Sequence, residues 1–431
     1  MARALPTTKA QVTGHKFLVR RVEHGLVFGD IRMIHDPLAK RSRALLIGIV
    51  AVVLVGLGAG LLAWLQPNPR PGEAPIVRSA QGQLFVLVDD SYHPVSNLSS
   101  ARIIAGDTAP AAEIGDEHLA QSQLGFPLGI EDAPGFLAPE PGQPHTQWVA
   151  CFAGTEDNPE VNSTSGISDE VIDEGEVIVL ADPPQDLLGD TRGAVVEADD
   201  KQWLLSGEGR ILLPEATSTQ GRVLRRGLGV EEDTPVWPLP VELLNTIEEL
   251  PQFSFPGEAP DIIDTGQGLW ARSSDGVVEV TESQAEMLRG YGAKSTTADP
   301  KEVAALSDAT ANFHLPEQPL DFLSEDEGWL CGDSEGRPTL VAPQGGTVEL
   351  SGDSVADRFG GLDEGGVGVD TGHGYHVVSA TGQRHSVPDP LVLEALGTGI
   401  GAEAPWSIVR LLPEGSELAR ARALAAPSSD G

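Results

Sequence analysis

The chain is 431 residues long, with 28 Lys and Arg against 64 Asp and Glu, a formal charge of −36. That balance weighs against a general nucleic-acid or polyphosphate binder, and the length allows two or three ordinary domains with real cores. The average conceals two regions of opposite sign: residues 1–43 hold nine basic and three acidic side chains, a balance of +6, which leaves −42 on the remaining 388.

Residues 11–37 read QVTGHKFLVRRVEHGLVFGDIRMIHDP, in which Leu18, Val22 and Leu26 recur every four residues beside Phe17. Lys16, Arg20, Arg21, Glu23 and His24 take the other sides, so the spacing predicts an amphipathic, basic helix of about four turns. Such a stripe suits either of two uses: a juxtamembrane segment held by anionic lipid, or a docking helix for a cytoplasmic or membrane partner.

The next segment, ALLIGIVAVVLVGLGAGLLAWL, opens at Ala44 and closes at Leu65 without a charged side chain. As a helix it reaches about 33 Å, enough for the ~30 Å hydrocarbon layer of a bilayer. A cleaved signal peptide would have a shorter apolar region nearer residue 1 and a small-x-small cleavage site, so an uncleaved single-pass span of the cell (inner) membrane is expected. Lys40, Arg41 and Arg43 precede it and QPNPRPG follows, a bias that keeps the N-terminus cytoplasmic and the rest extracytoplasmic.

Beyond the span, short Val-, Leu- and Trp-rich runs alternate with Gly, Asp-Gly and Pro. Strands are predicted at 76–78, 84–88, 177–181, 202–205, 277–280, 367–370 and 375–378. Short helices are predicted at 223–226, 241–248, 282–289, 300–306, 391–396 and 406–411, the third with Thr281 as N-cap. The fold class is therefore α+β and β-rich. Cys151 and Cys331 both fall outside the cytoplasm, where oxidation favours one disulfide closing a loop of about 180 residues, on the order of 5 kcal/mol by chain entropy. The alternative is two separately buried thiols.

An internal repeat emerges from these pieces. WLLSGEGRILLP from Trp203, VLRRGLG to Gly229 and PVELLNTIEEL from Pro240 match, in order, YHVVSATGQRHSVP from Tyr375, LEALG to Gly397 and PWSIVRLLPEG from Pro405. GQLFVLVDDSYHPVSNLSSARII and LWARSSDGVVEVTESQAEMLRGYG are looser copies, so four small modules are expected, with the two cysteine segments between them free to form a shared core. The expected boundaries are a basic segment 1–43, span 44–65, linker 66–75, modules at 76–135, 191–250, 262–320 and 365–415, core segments 136–190 and 321–364, and a tail 416–431.

The N-terminal helix sequence, the span after SRAL, and the GQLFVLVDDSYHPVSNLSSARII stretch closely resemble the EccB membrane component of the type VII (ESX) secretion system of actinobacteria. The likeness is dense over residues 11–104 and recurs to about 423, including WVAC ending at Cys151 and GWLC ending at Cys331. The resemblance implies a single-pass structural subunit of the secretion machinery whose N-terminal helix packs among the other membrane components. It implies an elongated ectodomain of four repeat modules around a disulfide-linked central β core. Implied partners are the FtsK-type motor ATPase EccC, EccD, EccE, a mycosin serine protease and further copies of the chain, besides the bilayer. The modules are similar to a cell-wall-binding lysin subunit, which implies peptidoglycan contact.

Family members are also described as ATPases, and ATP enters only by that description. A P-loop needs Gly directly before its Lys, ahead of a helix N-terminus; the nearest string, Gly290 to Ser295 (GYGAKS), has Ala293 in that place. Gly365 to Asp370 (GGVGVD) matches the start of a calcium β-roll once only, with Gly372 where an apolar residue belongs, so a hairpin turn is expected. His373 and His376 would face opposite sides of a strand and lack further zinc ligands. His93-Pro94 reads as a structural corner ending a strand. No catalytic, cofactor or metal residue is therefore assigned, and the alternatives to a structural subunit are an ATP-hydrolysing or cell-wall-hydrolysing enzyme and a free-standing cell-wall anchor.

Overall fold

The computed structural model describes residues 8–29, 37–65, 69–138, 147–154, 175–207, 209–399 and 401–425. Parts of the expected linker (66–68), of the first core segment (139–146 and 155–174) and of the tail (426–431) lie outside these residues, as do the side chains of 37–43. The chain divides into two units, Met1–Arg70 with Ile114–His118, and Pro71–Glu113 with Leu119–Gly431. The first carries two long helices and the second a set of β-sheets with short helices, a mixed, β-rich architecture.

The N-terminal helix, Lys9–Phe28, has 20 residues and so exceeds the four turns expected from its apolar spacing. It starts where the Thr8 N–H donates to Gln11 Oε1 at 3.0 Å, and stops where Gly29 turns left-handed at φ 69°. The second helix, Pro37–Leu65, has 29 residues, about 44 Å of rise. Its opening proline has a fixed φ that suits a first turn.

Seven strands form a central sheet in the order Val348–Glu349, Arg358–Gly360, Glu176–Ala181, Trp148–Ala153, Trp329–Gly332, Pro338–Val341 and Asp186–Leu187. The runs WVACFA, EVIVLA, WLCG and PTLV are almost wholly buried, as expected of strands covered on both faces. Trp148, Ala150 and Phe152 face one core, while Val149, Cys151 and Ala153 face another.

Three further sheets share one connection order. The meanders are Arg192–Ala198, Lys201–Ser206 and Gly209–Leu212; Asp261–Asp264, Leu269–Arg272 and Val277–Val280; and Val367–Asp370, Tyr375–Val378 and Arg384–Val387. They lead into the helices Thr219–Leu228, Glu282–Tyr291 and Pro390–Leu396, after which Val236–Pro238, Ser295–Thr297 and Ala402–Glu403 return parallel to the first strand of each. Near the start of the second unit, Ile76–Ser79, Leu84–Val88 and Ser91–Val95 form a fourth meander that leads into Leu98–Ala105. In all four sets the third strand takes a parallel bridge from chain beyond the helix: Val95 to Leu128, Arg210 to Glu249, Val277 to Asp308 and Arg384 to Glu414.

Local chemistry sets the helices. Ser218 accepts from the Gly221 N–H, Thr281 from that of Gln284 and Asp389 from that of Leu391. Thr219–Leu228 and Pro390–Leu396 both end on Leu-Gly, with Gly229 and Gly397 at φ 86° and 85°. The helix faces join the sheets in pairs. Ile76, Val86 and Ile103 share a core with Val377, Val387 and Leu396, and Leu204, Ile211 and Leu224 share another with Ile262, Ala271 and Leu288. A third core joins the central sheet to Val196 and Trp237 of one sheet with Leu243 of the short helix Val241–Leu244, and to Val369 and Val378 of another with Ile408 of the short helix Trp406–Val409.

Three local expectations are corrected. His93 and Pro94 lie inside the strand Ser91–Val95, paired with Val86 and Phe85, and form no corner. The helix expected at 241–248 is only Val241–Leu244, because the Thr246 hydroxyl donates to the Leu243 carbonyl at 2.8 Å and the following backbone pairs with Arg210 and Gly336. His373 and His376 do not face opposite sides: both rings stack on Trp406, at centroid distances of 6.2 and 5.2 Å. The turn in which the Thr371 hydroxyl donates to the Gly374 carbonyl at 2.8 Å breaks the strand alternation before His376 is reached.

Candidate functional site

Within Pro37–Leu65, the stretch Ala44–Leu62 is, among the described residues, the one helical segment long and apolar enough to cross a membrane, and its side chains are exposed throughout. Lys9–Phe28 also leaves its apolar stripe bare: Phe17, Leu18, Val22 and Leu26 are 53, 57, 62 and 82% exposed. Four large apolar side chains in water on one helix are the usual mark of a surface meant for lipid or protein.

Cys151 and Cys331 form a disulfide, directly opposite one another on adjacent antiparallel strands of the central sheet, with Cα atoms 3.9 Å apart. Val149, Ile178, Leu180, Trp329 and Val341 enclose it. The bond links two central strands that are 180 residues apart in sequence.

Charged side chains sit at matched places on two sheets. Arg210 lies over the Trp203 ring at 5.0 Å and meets Glu249 at 3.5 Å; Arg384 lies over Trp406 at 5.2 Å and meets Glu414 at 3.0 Å. The aligned strings GEGR and ATGQR held the signal for this pair. Against the same Trp406, burial pushes the His376 imidazole below its ordinary value and the nearby Arg384 cation adds to the shift. His385 is fully buried, its Nδ1 2.9 Å from the Ser416 carbonyl and its Nε2 without a partner, and burial likewise lowers its pKa.

GYGAKS closes a helix where a P-loop would open one. Gly290 is in the last turn of Glu282–Tyr291, the Gly292 N–H bonds back to Leu288 and Arg289, and Ser295 begins an edge strand. The ends of the dipole are reversed, since helix carbonyls rather than N–H groups converge there. Gly365 to Asp370 leads into a hairpin whose register pairs Asp370 with Tyr375. Among the described residues no group of three or more His, Cys, Asp or Glu is arranged to hold a metal. A cleft of about 970 Å³ between the central sheet and a neighbouring sheet carries Glu197, Asp199, Asp200 and Glu349 on its walls.

The family model for the type VII secretion system ESX-1 transport TM domain B matches residues 4–269 and 358–429, which includes both N-terminal helices and most of the sheets. The chain belongs to the EccB family. The similarity to curated EccB proteins runs nearly end to end: it is 29% identical to the ESX-1 secretion system ATPase EccB1 of Mycolicibacterium smegmatis (strain MKD8), over 97% of this chain and 95% of that one. To the EccB1 of Mycobacterium tuberculosis (strain ATCC 25618 / H37Rv) it is 27% identical, over 97 and 94%. The EccB fold is also seen in a chain of an intact ESX-5 inner membrane complex, with a TM-score of 0.66 at 22% identity, covering all of this chain and 97% of that one. A chain of the EccB3 dimer from the ESX-3 core complex matches at a TM-score of 0.66 and 21% identity, over 82 and 100%.

Proposed function

We propose that this EccB chain is a structural membrane subunit of a type VII secretion machine, anchored once in the inner membrane with its N-terminus in the cytoplasm. The observation that carries the reading is the end-to-end match of a chain with one exposed apolar span to proteins of ESX membrane complexes. The +6 balance of residues 1–43 supports the orientation. Lys9–Phe28 is the assembly helix, with Phe17, Leu18, Val22 and Leu26 buried against other membrane components of the machine. EccC, EccD, EccE and a mycosin protease are the candidate partners, with further copies of the chain.

The four meander-and-helix sets are copies of one module flanking a disulfide-linked core, within the boundaries the sequence suggested. Their shared parallel bridges support this, as do the matched Arg–Glu pairs at Arg210 and Arg384. The curated relatives carry "ATPase" in their names. No ATP site is assigned here, because the string nearest a P-loop ends a helix.

The test is affinity purification of the full chain in mild detergent, followed by native gels and mass spectrometry. The wild type is expected in a large complex that contains an FtsK-type motor, and a chain with Leu18→Asp and Val22→Asp is expected as a folded, membrane-bound protein outside it. Recovery of the wild type as a lone monomer would sink the reading, and an unchanged complex with the double variant would remove the role given to the helix.

A further inference from the structure

Arg384–Val387, the third strand of the last meander, lies at the edge of its sheet and is sealed by chain that returns after the short helix Trp406–Val409. The Arg384 N–H donates to the Pro413 carbonyl at 3.0 Å, the Gly415 N–H to that of Arg384 at 2.8 Å and the Leu418 N–H to that of Ser386 at 2.8 Å. The same segment then reaches the first meander and its loops. The Ser416 N–H donates to Asp132 Oδ2 at 2.7 Å, and the Gly129 N–H donates to the Ala423 carbonyl at 2.9 Å. Leu418 and Ala423 are fully buried in the core that Ile103 and Val387 share. Residues 414–424 are thus a strap across the first and last meanders.

The strap is seated on one imidazole. His385 is fully buried, and its Nδ1 lies 2.9 Å from the Ser416 carbonyl, which makes Nδ1 the N–H donor of a neutral ring. Its Nε2 has no partner. A Cβ added at Gly415 would stand 2.3 Å from the ring Cε1, so strap backbone covers that edge of the ring. A proton on Nε2 would bury a cation and a donor that nothing accepts. Asp132 is the charged group that acts on the ring. The others are placed elsewhere: Arg384 and His376 lie on the opposite sheet face, against Trp406, where Arg384 holds Glu414 at 3.0 Å. Arg102 and Arg420 are bound to the Leu396 and Ile104 carbonyls, and Glu131, Glu394, Glu417 and Arg422 are exposed.

We propose that residues 414–424 are an acid-released strap: protonation of His385 lifts the segment off the ring and unfastens the first meander from the last, while the central sheet stays folded. Opening is a local event, and what it gains is water on Nε2. In the closed state burial outweighs both the Ser416 bond and the Asp132 charge and holds the ring below its ordinary 6.5; in the open state the ring titrates as usual. The closed strap therefore has its full stability above pH 6.5 and loses it as pH falls from there toward the closed-state value. One unit below 6.5 the opening equilibrium gains up to about tenfold. Asp132, held below 3.8, keeps its charge through this range.

The experiment is amide hydrogen exchange of the full chain in detergent at pH 7.5 and pH 5.5, each rate divided by the intrinsic rate at that pH. Peptides covering 416–424 are compared with the central strand Glu176–Ala181. Protection of the strap is expected to fall by about three- to tenfold at the lower pH, with the central strand unchanged. His385→Asn, whose amide can still donate to the Ser416 carbonyl, should show no such fall, whereas His376→Asn should keep it. Asp132→Asn removes the charge that favours the imidazolium, so the same loss should need a lower pH. Equal protection at the two pH values overturns the proposal, and so does a fall that survives His385→Asn or disappears with His376→Asn. A fall shared by the central strand also overturns it, since the chain would then be unfolding as a whole. If His385→Asn does not fold, Asp132→Asn decides: an unshifted profile refutes the role of His385.

Discussion

Arg102 donates a hydrogen bond from Nη1 to the carbonyl of Leu396 at 2.6 Å, across 294 residues of sequence. Leu396 is the last residue of Pro390–Leu396, so the guanidinium satisfies a helix-terminal carbonyl and meets the negative end of the dipole. Arg420 does the same for Ile104, 316 residues away, at 3.0 Å. The first and last meanders are thus joined by charge as well as by their common core.

Replacing Arg102 by Met keeps the aliphatic stem and removes the donor. The expected cost is about 1.5–3 kcal/mol, the range for hydrogen bonds from charged groups. The midpoint of urea unfolding, followed on the full chain in detergent, checks it. Arg102→Lys should recover only part, because an ammonium lacks the planar fork. An unchanged midpoint for Arg102→Met would show that the contact contributes nothing in solution.

Because Cys151 and Cys331 are paired neighbours in the sheet, the disulfide acts mainly on the unfolded chain. Breaking it with Cys151→Ser or Cys331→Ser should destabilise by up to about 5 kcal/mol on the chain-entropy scale. The double variant should cost no more than the worse single, since both remove one bond. Guanidinium unfolding of wild type with and without reductant, beside the variants, tests both statements. A double variant equal to the sum of the singles would mean that each thiol is stabilised by something other than the bond.

Much of the outer architecture was legible because its signals are local. The apolar run from Ala44, the Thr281 cap, and the Leu-Gly closures at Gly229 and Gly397 each use a residue type that only a few conformations accept. The central sheet was largely hidden. WVACFA and WLCG are buried on both faces, so they lack the polar and apolar alternation by which a strand announces itself. The stacking of His373 and His376 on Trp406 was hidden for another reason: it depends on a turn at Thr371 and on a tryptophan some thirty residues further on, which no short window contains. The span and the exposed stripe from Phe17 to Leu26 were legible because their apolar side chains are exposed among the described residues, so the local run and spacing alone decide them.

Acid should loosen the junction around His385. Burial holds its folded-state pKa below the ordinary 6.5, so between the two values the unfolded chain binds a proton that the folded chain does not. The stability this contributes is fully present above pH 6.5 and is lost as pH falls from there toward the folded value. His376, lowered by burial as well, acts in the same direction. At Asp132 burial opposes ionisation, but hydrogen bonds from Ser416 prevail and hold the carboxyl below 3.8, so its contribution survives to lower pH. Unfolding midpoints measured at intervals from pH 8 to pH 5 should therefore fall for wild type, and His385→Gln should fall less. Parallel profiles would assign the acid sensitivity elsewhere.

Gly227 tests the contact between Thr219–Leu228 and Glu282–Tyr291. A Cβ added there would stand 2.3 Å from Met287 Cγ and 2.4 Å from its Sδ, and Met287 is buried, with little room to move. The Ser283 hydroxyl also donates to the Gly227 carbonyl at 3.3 Å, which ties the two helices at the same point. Helix propensity alone would reward Gly227→Ala by about 1 kcal/mol. Overpacking of a close-packed interface costs about 1–3 kcal/mol and should reverse that sign. Gly290→Ala is the control on the facing helix, because its added Cβ meets Val223 methyls at 3.3 Å, side-chain tips that need give by only a few tenths of an ångström. Destabilisation by Gly227→Ala with little change from Gly290→Ala is the expected pattern in urea. Met287→Ala should be costly alone, by about 2–5 kcal/mol, yet the double variant Gly227→Ala, Met287→Ala should cost less than the sum of the two, since the new methyl occupies part of the space that the thioether leaves. Strict additivity would place Met287 away from Gly227 in solution and would unseat the helix contact that joins these two sheets.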